Sequence, residues 1–199
     1  MPAITFRSRF TIVLCMVSWA SLAVVMIIVL ITPGGLERGL IPLGLLAVAA
    51  IVWAVLWSPY VRVDDDAVTV ANIFREIRIP WPALIEVDTR FSLTLRTPHR
   101  VVSATAAPAP GRQTGLGAAR IHRSRTNSTG SLIRPGDLPS SDSGQAAELV
   151  RERWHRLRDS GRIQAGVAHS TPVHVRLRGR AIAAVGIATL VLIVGAILG

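Results

Sequence analysis

Cysteine is nearly missing from this chain: Cys15 is the single copy, and it sits inside a long apolar run. A disulfide framework or a thiolate metal cluster within one chain is thereby excluded, and Cys15 reads as a small apolar residue packed against a neighbouring helix. Lysine is absent, so all 22 basic residues are arginines. Acidic residues number only 12, which leaves a formal net charge of +10. That balance suits an anionic partner, but aromatic side chains able to stack on bases are missing from the basic stretch beyond Phe91. No nucleic-acid partner is expected.

Apolar runs are what the chain has in plenty. Half of its residues are hydrophobic and its mean hydropathy is +0.46. The apolar residues gather in Phe10 to Ile31, Leu40 to Trp57 and Ala181 to Leu198, and no charge interrupts the stretch from Phe10 to Gly35. Runs of about 20 residues match a hydrocarbon layer of ~30 Å. A soluble domain of this size does not bury three of them, so the sequence predicts an integral, multi-pass protein of the cell membrane. Transmembrane helices are expected over 10–31 and 36–57, and a third within a helix over 172–198. A cleavable leader fits the first run poorly, because its apolar part exceeds the usual ~7–15 residues and a second run follows at once.

The arginines give an orientation. Arg7 and Arg9 precede the first run, the loop after it balances Glu37 against Arg38, and Arg176, Arg178 and Arg180 abut the third. Basic flanks stay inside, which puts the N-terminus and the polar middle in the cytoplasm and the C-terminus outside. Trp53, Trp57 and Tyr60 then fall near the inner boundary, where amphipathic rings settle. Trp19 lies deeper and is expected against a helix.

Within the polar middle, residues 59–107 alternate in steps of two. Val61 and Val63 lead to the Asp64-Asp65-Asp66 turn, then come Val68, Val70, Ile77, Ile79, Ile85, Val87, Leu93, Leu95, Val101 and Val102. Such alternation with frequent turns predicts an antiparallel meander with one face in a core, and Pro80 and Pro82 force the chain out of the sheet near Trp81. Residues 108–141 are rich in Ala, Pro, Gly, Ser, Thr and Arg and read as a disordered basic loop. A helix is expected over 142–160, capped by Asp142, with Ala147, Val150, Trp154 and Leu157 on one face and Gly161 at its end. Residues 161–171 form a linker, and Thr171-Pro172 looks like a helix start. The alternation of Val173, Val175 and Leu177 makes a strand the alternative there. Trp81 and Trp154 are the expected apolar mass of the core.

A meander followed by one amphipathic helix is the outline of a pleckstrin-homology-like (PH-like) barrel. The chain resembles the bacterial PH-like domain of actinobacterial membrane proteins related to a low-molecular-weight protein antigen. The resemblance rests on Pro59 after an apolar run, Val70-Ala71-Asn72, Arg75, and Ile79-Pro80-Trp81 followed by Ile85. It implies a β-barrel or meander capped by one helix, and little chemistry. The chain departs from the family in carrying Asp64-Asp65-Asp66-Ala67 in place of a glycine turn, and Thr97-Pro98-His99 after Leu95.

Catalytic chemistry is not legible. His99, His122, His155, His169 and His174 are scattered, and none has ligand spacing with a carboxylate or cysteine. The Asp64–Asp66 run reads as a solvated turn, since a calcium loop needs further oxygens at set spacing. Gly115 and Gly117 are not followed by the Lys-Ser/Thr of a P-loop. No catalytic, metal or cofactor residue is nominated, and the protein is not expected to be an enzyme. The charge is the feature left over: from Thr89 to Gly136 there is no acidic residue. Arg112, Arg120, Arg123, Arg125, Arg176, Arg178 and Arg180 are the candidate contacts to anionic lipid, each contributing about 1 kcal/mol near a charged leaflet. The sequence therefore predicts a non-enzymatic binding or scaffold module for a protein partner or the anionic inner leaflet. The alternative is an accessory subunit of a transporter or cell-envelope enzyme, docking through Gly186 and Gly195.

Overall fold

The period-two segment becomes strands whose register follows its β-branched residues. In the computed structural model, which describes residues 3–32, 37–108, 141–164 and 166–198, β1 (Ile4–Phe6) precedes helices α1 (Arg9–Ile31) and α2 (Glu37–Val52), the latter running on into a π-helical turn at Trp53–Trp57. There follow β2 (Tyr60–Val63), β3 (Ala67–Ala71), β4 (Arg75–Pro80), β5 (Glu86–Asp88), β6 (Ser92–Arg96) and β7 (Val101–Pro108). Helix α3 (Asp142–Asp159), strand β8 (His174–Leu177) and helix α4 (Gly179–Leu198) complete the described chain. Two compact units result: 1–8, 60–72 and 76–176 carry the sheets, and 9–59, 73–75 and 177–199 carry the apolar helices.

The strands form two sheets, in the orders β1-β2-β3-β4-β8 and β5-β6-β7. Among the described residues these sheets do not close into the barrel that the resemblance offered beside a meander. Pro80 ends β4 and a 3₁₀ turn, Trp81–Ala83, separates it from β5. Two prolines without N–H donors interrupt the ladder where a barrel would continue. Asn72 bridges the two sheets instead: its Nδ2 donates to the Ser103 carbonyl at 2.8 Å, and its Oδ1 accepts from the Thr105 N–H at 2.9 Å. One side-chain amide thus serves a donor and an acceptor of β7 as a neighbouring strand would.

Val61, Val63, Val68, Val70, Ile77 and Ile79 from the first sheet, with Leu93, Leu95 and Val102 from the second, enclose the core together with Trp81 and the Ala147–Val150–Leu157 stripe of α3. Trp81 is 2% exposed and its Nε1 donates to the Asp64 carbonyl at 3.1 Å. Trp154 lies on the rim of this core, partly buried.

Several local expectations are corrected. Asp142 does not cap α3: Ser141 does, accepting from the Gly144 N–H at 3.0 Å, while Asp142 accepts from Ser8 Oγ at 2.5 Å. The helix expected from residue 172 begins at Gly179, and His174–Leu177 is an edge strand beside β4. The alternating Val173, Val175 and Leu177 follow the strand period, and a sheet edge was available to receive them. Strand β1 was not foreseen, since three residues give no period to read. The close of α3 was legible: Gly161 has φ +70°, with Gly161 N–H on the Arg158 carbonyl and Arg162 N–H on that of Leu157. This pair of bonds is a Schellman cap, which favours glycine at the left-handed position.

In the helical unit, three helices are long and apolar enough to cross a membrane: Arg9–Ile31, Leu40–Trp57 and Gly179–Ile197. Large apolar side chains such as Phe10, Met16, Ile28, Leu46, Leu190 and Ile193 face outward, while Cys15, Ala47, Ala54, Ala181 and Ala188 are buried. Trp19 stacks on Trp57 with ring centroids 6.2 Å apart and donates to the Ala49 carbonyl at 3.3 Å.

Candidate functional site

The alternation that sends Ile77 and Ile79 inward turns Glu76 and Arg78 to the opposite face of β4. Both meet His174 and Arg176 of β8 around one cavity of about 290 Å³. Across the strands the register aligns Tyr60, Ala71 and Glu76 in one row. The small Ala71 lets the Tyr60 hydroxyl pass over it to donate to Glu76 Oε2 at 3.1 Å. The Arg7 guanidinium lies 5.8 Å from the centre of the Tyr60 ring, within cation–π range.

The aspartate turn supports the same face and is more than a solvated bend. Asp64 Oδ1 accepts from the backbone of Asp66 at 3.0 Å and of Ala67 at 2.7 Å, closing the turn. Arg78 stands 3.6 Å from the Asp64 carboxylate and 3.9 Å from that of Asp66. Asp65 reaches the other way and accepts from Arg153 Nη1 at 2.8 Å, where the arginine side chain is only 6% exposed. The buried Arg153 was missed because Arg151, Arg156 and Arg158 around it look like one solvated face. A signal existed: Arg153 falls three residues after Val150 and four before Leu157, on the apolar stripe of α3.

Of the nominated arginines among the described residues, Arg176 lines the cavity. Arg178 donates to the Ser58 carbonyl at 3.0 Å inside the helical unit, and Arg180 lies exposed in the first turn of α4. Arg112, Arg120, Arg123 and Arg125, with the whole expected loop, lie outside the described residues. The histidines divide. His174 lines the cavity, His99 Nε2 meets the His169 carbonyl at 3.1 Å, and His155 sits beside Arg158. Among the described residues no three His, Cys, Asp or Glu side chains group as metal ligands. The cavity therefore offers two guanidiniums, an imidazole and a carboxylate, a set suited to recognition.

A family model for the bacterial PH domain matches residues 58–159, just over half of the chain. The chain belongs to the bacterial PH domain family. No curated protein and no solved structure matches it. The matched span runs from just before β2 to the last residue of α3, so the PH domain supplies β2 to β7 and the helix. β1 and β8 lie outside it and extend the larger sheet at both edges. The cavity is thus shared between strand β4 of the PH domain and an added strand.

Proposed function

We propose that the three apolar helices span the cell membrane and hold the PH domain in the cytoplasm as a non-enzymatic binding and scaffold module. The observation that carries this reading is the joining, in one chain, of a PH domain to three helices of membrane-spanning length. The basic excess of the chain supports an anionic partner: the inner leaflet, or an acidic surface of a membrane or cytoplasmic protein. Arg112, Arg120, Arg123 and Arg125 would add transient attraction to the leaflet, and Arg176, Arg178 and Arg180 would mark the inner boundary of the third span. The helices fix location and the sheet face does the recognising. A reporter active only outside the membrane should be on when fused after Gly199 and off when inserted at Gly115. The reverse pattern would overturn the orientation.

The accessory-subunit reading has one observation in its favour. A groove of about 340 Å³ runs along α2 and α4, lined by Leu40, Ile41, Gly44, Val191, Leu192, Gly195 and Ala196. A side chain placed on Gly186 or Gly195 would meet open space. Small residues let a foreign helix approach closely. Under that reading, a chain lacking 59–159 still co-purifies with its partner from crosslinked membranes; under the scaffold reading, the partner is lost with the PH domain.

A further inference from the structure

We propose that the turn between β3 and β4 is itself a membrane anchor, with Phe74 and the nearby Leu177 entering the boundary between lipid head groups and acyl chains. The partner is the apolar edge of that boundary, and no particular head group is required. This contact rests on the reading that the apolar helices span a membrane, and adds to it a segment that no apolar run contains. Residues 73–75 lie within the span matched by the PH domain, yet they group with the helical unit.

Arg178 sets the level of the turn. Its carbonyl accepts from the N–H groups of Ala181 and Ile182 at 3.0 and 3.1 Å, so it stands at the start of α4. Its own N–H donates to the Phe74 carbonyl at 3.0 Å, and its Nη1 donates to the Ser58 carbonyl at 3.0 Å. Ser58 directly follows the span Leu40–Trp57, and Arg178 directly precedes the span Gly179–Ile197. A spanning helix ends at a face of the hydrocarbon layer, so two span ends joined at one residue mark one face. Phe74 is hydrogen-bonded to that residue and shares its level.

The side chains at this level fit the boundary. Phe74 is 44% exposed and Leu177 71%. Arg75, next to Phe74, and Arg180, in the first turn of α4, are exposed as well. Apolar rings settle at the edge of the hydrocarbon layer, and arginines lay their methylenes on apolar surface while the guanidiniums stay in the polar layer. Phe91 supplies the contrast: it is 82% exposed, but it belongs to the unit that carries the sheets.

The test uses the full chain with Cys15, its single cysteine, changed to alanine. Phe74→Cys, Leu177→Cys, Leu190→Cys and Phe91→Cys are each labelled with an environment-sensitive fluorophore and reconstituted into phosphatidylcholine vesicles. The lipids carry a nitroxide quencher either just below the head groups or near the chain ends. The label at position 74 is expected to be quenched at least about twofold more by the shallow nitroxide than by the deep one, as for a group ~5–10 Å into the boundary. The label at 177, which leaves the Phe74 ring in place, should share that preference. The label at 190, near the middle of α4, should respond more to the deep nitroxide, and the label at 91 to neither. Adding anionic lipid should leave the result at 74 unchanged. Quenching at 74 in anionic vesicles alone would make the contact a head-group interaction and overturn the anchor. Equal quenching at 91 and 74, or labels at 74 and 177 left unquenched beside a quenched label at 190, would overturn it too. An unquenched label at 190 would instead overturn the spanning reading, and the anchor with it.

Discussion

Trp81→Ala should be the most damaging single change in the PH domain, lowering its stability by about 3–5 kcal/mol, the range for emptying a buried tryptophan site. The ring is 2% exposed and stands where the larger sheet breaks off, between β4 and β5. Its loss leaves a void among Val, Ile and Leu side chains and removes the donor to the Asp64 carbonyl. That carbonyl belongs to the aspartate turn, so packing and turn geometry fail together. Hydrogen exchange on the full chain should show protection falling across β2 to β4. Trp81→Phe, which keeps most of the apolar volume and loses the indole N–H, should cost about 1–3 kcal/mol. Trp154→Ala should cost less than Trp81→Ala, because its ring lies on the rim and leaves no closed void. Protection unchanged in Trp81→Ala would mean that the core does not depend on this ring.

Asp65→Asn should destabilise the PH domain, though less than breaking a fully buried pair would, because the aspartate side chain is 26% exposed and partly solvated. The substitution keeps the shape of the turn and removes the charge that faces Arg153 Nη1 at 2.8 Å. Most of the cost comes from a guanidinium left in a nearly dry site without that carboxylate. Arg153→Met, which fills similar space with an apolar chain, should be milder, and the two changes together should cost clearly less than their sum. The coupling, read from denaturant midpoints, should be clearly non-zero, as expected for residues in direct contact. Additive effects would show that the pair is only a surface contact.

The connection between these two predictions is the turn of three aspartates, which the sequence presents as an ordinary polar bend. The structure gives the three carboxylates different surroundings: backbone amides together with Arg78 for Asp64, Arg153 for Asp65, and Arg78 for Asp66. Position in the turn sets these roles, and residue type does not. The candidate cavity follows the same logic. Arginine density drew attention to Arg112, Arg120, Arg123 and Arg125 and to the arginines beside α4, and the group that converges among the described residues joins one of the latter, Arg176, to Glu76, Arg78 and His174. Arg176 was among the nominated arginines, but Glu76, Arg78 and His174 do not stand out locally, because β4 and β8 are far apart in the chain and only pairing in one sheet makes them neighbours.

By itself the sequence determined the features set by local periodicity and composition. Unbroken apolar runs specify α1, α2 and α4 because length and hydropathy are properties of a single segment. Alternating β-branched residues specify β2 to β7, and the apolar stripe ending at Gly161 specifies α3, its left-handed cap included. Only the tertiary structure decided that the strands stay as two sheets bridged by Asn72, that residues 174–177 join an edge as β8, and that Arg153 is buried against Asp65. Each of these depends on a partner supplied by a distant segment. Without that partner a short alternating stretch such as Val173 to Leu177 has nearly balanced local preferences, and it is the hydrogen bonds of the waiting sheet edge that tip it to strand.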